Sequence, residues 1–192
     1  MPDPNPAALN FLLSRRSRPA KTLGLPVPTR EELRPILEAA LRSPDHGKLE
    51  PWRLIVLTRP ALERLATLVE ERGAALERAP EDIAKQRSQY ADAHLAVAVI
   101  ATPQQSDKVP EIEQTLSAGA VCTALLNAAL AAGWGANWLT GWASHDPDFV
   151  RDGLRLAPGE WIAGFIHIGT EGAAPPERPR PDMDAKVAWI EA

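Results

Sequence analysis

Three apolar segments of strand character, Trp52–Thr58, Leu95–Ala101 and residues 161–168, alternate with segments of helical periodicity, which predicts an α+β or α/β sandwich. Length and composition agree with this. The chain has 192 residues, 45% apolar and 24% charged, the balance of a folded globular protein and not of a disordered, collagen-like or coiled-coil one. At that length the expectation is a single domain over residues 1–192 with an N-terminal and a C-terminal arm. Ten of the nineteen prolines lie in the first 60 residues and four lie between Pro175 and Pro181, so both ends read as arms around a regular centre.

Each element has a local reason. A first helix is expected over Pro6–Ser14. A second starts behind Thr29, where Glu32 gives capping-box spacing, and stops before Pro44. Trp52–Thr58, apolar and β-branched between Pro51 and Pro60, reads as a buried strand. Residues 61–76 form a helix with Glu63, Arg64, Glu70 and Glu71 on its outer face, and a polar stretch follows. Leu95–Ala101, uncharged throughout, suits a central strand.

Residues 110–133 make a helix in which Ala120, Ala124, Ala128 and Ala132 fall at i, i+4 spacing and build one smooth ridge. The adjoining rows are apolar too, leaving Thr123 and Asn127 as one polar row, so this helix asks for burial nearly all round. A two-fold partner packing an identical helix against it would complete that burial, and a homodimer is expected. The alternative is a central helix covered by the chain's own sheet and helices. Residues 134–142 follow, then a helical turn from Pro147 and a last strand over 161–168.

Charge and cysteine usage exclude several classes. The net charge of −4 argues against a general nucleic-acid binder, which carries a basic excess. One cysteine, Cys122, makes no intrachain disulfide, no His or Cys pair has zinc-finger spacing, and a reducing, cytoplasmic setting fits. No export signal is expected, because the first residues bring an acid and three prolines before a short apolar run. The longest apolar stretch, residues 118–130, is short of the roughly 20 residues a bilayer needs, so no membrane span is expected.

Three constellations could carry chemistry. Arg15, Arg16, Ser17 and Arg18, with Lys21 behind them, offer the guanidinium forks and hydroxyl that hold a phosphate, although cations at a helix carboxyl end also complement its dipole. The loop Ser43-Pro-Asp-His-Gly-Lys-Leu-Glu-Pro-Trp-Arg53 puts two prolines, a glycine, His46 and two cations between a helix and a strand, where rigid loops present functional groups; Asp45 or His46 capping local backbone is the plainer reading. Gly133 to Gly141 begins like a dinucleotide fingerprint and fails, since Trp138 stands where the third glycine belongs and a helix precedes it. Its glycines still let a backbone approach a flat ligand, and Trp134, Trp138 and Trp142 share a side in strand or helical periodicity, as a planar site or as core. His94, His145 and His167 are isolated and read as structural, and Cys122 lies in the most apolar helix, where a thiol is inert. No catalytic side chain and no metal site is expected, and such a chain borrows its chemistry from an organic cofactor.

In this order, the constellations resemble the FMN-dependent nitroreductase family, and the His46 form of the loop is similar to its short NAD(P)H nitroreductase subgroup. The resemblance runs from Ala7 to about Ile190 and also rests on Ser117-Ala118-Gly119, Gly164-Phe165 and Gly169-Thr170. It implies an α+β fold, an antiparallel or mixed sheet flanked by helices, in an intertwined homodimer with FMN at the subunit interface. It implies that Arg15, Arg16 and Ser17 hold the FMN phosphate and ribityl chain, with Arg42 and His46 supplied by the other subunit. Trp138, Leu139 and Thr140 would line the ring, Leu139 standing where relatives usually carry a cation. Ala128, Ala129, Leu130, Ala131, Ala132 and Gly133 match a segment assigned to NAD(P)H, and Arg178 or Arg180 would add a phosphate contact. The implied reaction is ping-pong hydride transfer from NADH or NADPH to a small-molecule acceptor, nitroaromatic, quinone or similar. Arg42 or Lys48 would place positive charge near the flavin N1 and O2, and a backbone amide would donate to N5. A flavin-binding or flavin-storage module with little turnover is the alternative.

Overall fold

The computed structural model describes residues 3–191. A helix, α1 (Pro6–Ser14), leads into a two-residue strand, β1 (Leu23–Gly24), and the amphipathic α2 (Arg30–Ala40). The capping box on α2 is present in both directions: Thr29 Oγ1 accepts from Glu32 N, and Thr29 N donates to Glu32 Oε2 at 2.8 Å. Then come β2 (Trp52–Thr58), α3 (Arg59–Ala75), α4 (Pro80–Ala91), β3 (Leu95–Ala101), the long α5 (Glu111–Ala131) and β4 (Gly135–Leu139). The chain ends with α6 (Pro147–Leu154), β5 (Trp161–Glu171) and the single turn α7 (Met183–Lys186).

The five strands form one sheet in the order β1-β5-β3-β2, with β4 paired to β5. Every pairing is antiparallel, which settles the class as α+β. β3 sits between β2 and β5, all seven of its residues are buried, and its alternation feeds two cores. Ala96, Ala98 and Ile100 pack with Leu62, Leu65, Tyr90, Phe149 and Phe165 on the side of α3, α4 and α6. Val97 and Val99 pack with Leu33, Ile36, Val121, Leu125 and Ile166 on the side of α2 and α5. Each fully buried aliphatic side chain contributes about 1.5–3 kcal/mol, and the sheet is sandwiched rather than one-faced.

Three expectations need correction. β2 is an edge strand and mostly half-buried, because a neighbour on one side only leaves Val56 39% exposed. The polar stretch after the third helix contains α4, whose inward positions Ile83, Gln86 and Tyr90 include a buried glutamine, so the apolar period is broken in the sequence. Residues 135–139 form a strand, followed by a short 3-10 turn.

α5 is the one helix among the described residues long and apolar enough to cross a bilayer by length and composition, yet it is a core helix with eight residues buried against the sheet and α2. Its burial is one-sided. Ala120, Ala124 and Ala128 are only half-buried, and Ile112 and Leu116 stand exposed, so among the described residues the ridge is only partly covered. The same holds for α1, none of whose residues is buried, and for the arm after β5, where Trp189 is 86% exposed.

Candidate functional site

The first cluster is built where α1 stops. Arg15 is its C-cap, donating its N–H to Phe11 O at 2.7 Å, and the next residues run beside β4. Arg18 N donates to Ala136 O at 2.8 Å, and the Asn137 amide donates to Arg18 O, so the sheet fixes the position of the segment. Arg15 Nη2 donates to Ser17 Oγ at 3.1 Å. Arg15 Nε and Arg16 Nη1 are buried N–H groups without a partner among the described residues. Leaving such a donor unmet costs about 1–3 kcal/mol or more, and an oxyanion beside Ser17 would relieve it. Arg18 differs, since Glu171 Oε2 lies 2.6 Å from its Nε as an ion pair, though outside hydrogen-bond alignment. Burial, followed by the neighbouring Arg180 and Arg18, lowers the Arg15 pKa, the sign of a cluster short of negative charge. Arg180, which pairs with Glu177 at 2.9 Å, brings the C-terminal arm to this cluster, and Arg16 also acts on Glu177.

The second cluster is the loop after α2. Gly47, Lys48 and Glu50 have φ of 72°, 55° and 47° around a right-handed Leu49, left-handed positions costly for the two non-glycine residues. The surroundings over-determine it. Asp45 Oδ2 accepts from Glu50 N at 2.9 Å, so Asp45 does cap local backbone, and Gln104 Nε2 donates to Leu49 O at 2.6 Å. Ser117 Oγ accepts from Trp52 Nε1 at 3.0 Å and donates to Pro44 O at 2.9 Å, tying the loop to α5. His46 is exposed, its Nδ1 2.7 Å from Glu113 Oε2. Arg42 lines a shallow groove of about 490 Å³ with Ala120, Ala124 and Asn127, along the alanine ridge. Among the described residues no hydrogen bond or ion pair joins Arg42 or His46 to Arg15–Ser17.

The third cluster follows α5. Trp138 lies on Gly164, where a Cβ would strike the indole, and keeps an exposed edge. The three tryptophans do not share a side: Trp134 packs into the core under α5 and Trp142 into the core under α3, because β4 ends at Leu139 and the 3-10 turn redirects the chain. Arg78 stacks 4.6 Å from the Trp142 ring. Leu139 lines one cavity with Lys85 and Gln89, and Thr140 and Gly141 line the next with Lys85, Gln86 and Gln89. These α4 side chains escape sequence reading because their helix does. Of residues 128–133, Ala129 is sealed in the core and offers no surface to a ligand, whereas Ala131, Ala132 and Gly133 are exposed at the turn. His167 is buried in mid-sheet with both ring nitrogens unpartnered among the described residues, and burial lowers its pKa to about 4. Burial raises the Cys122 thiol to about 12.

The nitroreductase family model matches residues 13–170. YdjA of Escherichia coli (strain K12), which carries the name NAD(P)H nitroreductase, is 36% identical over 163 residues, covering 85% of this chain and 87% of that protein. A Haemophilus influenzae protein of the same name is 33% identical over 165 residues, covering 85% and 88%. Among solved structures, a nitroreductase-like family protein from Bacillus cereus superposes with a TM-score of 0.78 at 23% identity over all of both chains. A structure from Desulfovibrio desulfuricans, named as a nitroreductase in complex with FMN, has a TM-score of 0.74 at 20% identity, covering 99% of this chain and all of that one. Both share its fold.

Proposed function

The chain belongs to the nitroreductase family, and from that premise we propose that it is an FMN-dependent oxidoreductase carrying hydride from NADH or NADPH, by a ping-pong cycle, to a nitroaromatic, quinone or similar conjugated acceptor. The working unit in this reading is a homodimer with FMN at the subunit interface. The observation that carries it is the pair of buried, unpartnered guanidinium donors on Arg15 and Arg16 beside Ser17, a site short of one oxyanion. A phosphate fits that deficit.

The flavin, when bound, supplies the hydride chemistry, and the protein supplies place and charge. Arg15, Arg16 and Ser17 take the phosphate, with Arg180 of the arm next to them. Trp138, Leu139 and Thr140 flank the ring, and Lys85 and Gln89 at the neighbouring cavities bring a cation and an amide to it. Arg42 and His46 complete the site across the two-fold, which explains why one chain leaves them apart. Contact with the nicotinamide dinucleotide through residues 128–133 rests on the exposed Ala131, Ala132 and Gly133. An acceptor proton comes from water, and no side-chain acid is required.

The test is a spectrum of the purified protein before and after anaerobic addition of each nicotinamide. A flavin band that bleaches within the mixing time of a stopped-flow experiment is the expected result. A colourless protein that takes up no added FMN overturns the reading, and one that binds FMN yet bleaches slowly or not at all is a flavin carrier.

A further inference from the structure

The loop after α2 and the first turns of α5 meet at two points on one helix face. Glu113 and Ser117 stand at i, i+4 on α5, so their side chains emerge on the same side. Ser117 Oγ donates to Pro44 O at 2.9 Å, and Glu113 Oε2 lies 2.7 Å from His46 Nδ1. A carboxylate only accepts, so Nδ1 carries the proton in this contact, and Nε2 has no partner among the described residues. The same hydrogen bond fixes the orientation of the ring, as a carboxylate does for the imidazole of a hydrolytic triad.

Stability is a poor reason for the pair. The His46 and Glu113 side chains are 55% and 44% exposed, and ion pairs so open to water contribute little. The loop beneath the ring is nonetheless built at a cost, since Lys48 and Glu50 hold their left-handed backbone and Asp45 Oδ2 accepts from Glu50 N to keep it there. An imidazole on a strained, over-determined loop, with one nitrogen tied and the other presented, is a placed group. Its surroundings indicate what it is placed for. The hollow beside the pair, about 430 Å³, is also lined by Pro44, Asp45, Leu116 and Ala120, and Pro44 and Ala120 recur in the groove of Arg42. His46 and Arg42 therefore border adjoining hollows along the alanine ridge, the surface that a second copy covers in the dimeric reading. We propose that Glu113 is the positioning residue of His46: it holds the Nδ1 proton, so that Nε2 is the nitrogen offered to the FMN in the clamp of the other chain. This rests on the FMN reading above and adds to it a residue that touches no ligand itself.

A double-mutant cycle on FMN affinity, read by fluorescence titration of the apoprotein, tests it. Glu113→Ala is expected to weaken binding at least about threefold in the native background, and by less than about 1.5-fold when His46 is already alanine, because its effect passes through the ring. Glu113→Gln still accepts from Nδ1 through its side-chain oxygen and is expected to stay within about twofold of native. Equal losses from Glu113→Ala in the two backgrounds overturn the proposal, as does no loss in the native one. A glutamine as damaging as the alanine also overturns it, because charge and not position would then be at work. If the double variant does not fold, or binds FMN too weakly to titrate, the imidazole nitrogen shifts of the apoprotein in mildly alkaline solution decide. The proton is expected on Nδ1 of His46 in the native chain and in Glu113→Gln, and on Nε2, the site free imidazole favours, in Glu113→Ala. A native His46 protonated on Nε2, or an alanine variant that keeps the proton on Nδ1, is decisive against. A native chain that takes up no FMN removes the FMN reading and this inference together, whereas tight FMN binding with additive losses removes this inference alone.

Discussion

Arg15 concentrates the electrostatics of the site in one side chain. It spends one donor on Ser17, keeps Nε buried and unmet, and sits among the like charges of Arg18 and Arg180. A phosphate would satisfy the donor and offset the repulsion at once. Arg15→Ala is therefore expected to weaken FMN binding by about 1.5–3 kcal/mol, the range of a hydrogen bond to a charged group. Fluorescence titration reads the change, and unchanged affinity would reduce Arg15 to a helix-end cation. His167 makes the opposite kind of prediction, about the protein without ligand. Its folded pKa is depressed from 6.5 to about 4, so as pH falls the unfolded chain takes up the proton first. Stability is full above about pH 6.5 and is lost as pH falls toward 4, by about 3 kcal/mol in all. Melting His167→Leu alongside the native apoprotein from pH 7 to 4 should show that loss removed in the variant. Parallel acid profiles for the two would show that the imidazole is not buried neutral.

Among the elements, α5 shows how far local pattern reaches. Its spacing predicts the alanine ridge, and the ridge is there, with Ala124 lining a groove that none of the described residues fills. What the pattern lacks is a statement of which face the sheet takes, because apolar rows on several sides look alike until a sheet is laid on one of them. If a second copy covers the ridge, Ala124→Leu adds bulk at a close helix crossing and weakens the dimer by about 1–3 kcal/mol. Sedimentation at low micromolar concentration is the check: monomer should appear in the variant and not in the native protein. α4 shows the converse limit. Its inner face carries Gln86 where a leucine would have given a readable period, and the Gln86 amide lies so close over Gly141 that a Cβ there would run into it. Lys85 and Gln89, which line the cavities beside Leu139 and Thr140, were illegible for that reason. Arg15–Ser17 and the loop at His46 were legible because they are dense in charged and rigid residues over a short span. Trp142 was misplaced because periodicity cannot foresee that the strand ends at Leu139, three residues before it.

At the scale of the whole molecule, the proposed dimer would account for both the bare surfaces and the separation of the two charged clusters. α1, the α5 ridge and the arm after β5 all carry exposed or half-buried apolar side chains, among them Leu13 at 71% and Ile190 at 94% exposure. Exposed apolar patches of this kind are what a protein–protein interface would cover. The clamp at Arg15 and the loop at Arg42 and His46 lie apart in one chain, and a two-fold brings one chain's clamp to the other's loop if the site spans the interface. Mixing decides between a shared site and two independent ones. In a heterodimer of Arg15→Ala with the double variant Arg42→Ala/His46→Ala, one site receives the native clamp from one chain and the native loop from the other, and the second site receives both defects. Equal mixing with free exchange makes about half the dimers mixed, so about a quarter of all sites should regain native FMN affinity, against none in either parent. If clamp and loop serve the same site within one chain, each site in the mixture carries one defect whatever its partner, and no tight-binding fraction returns.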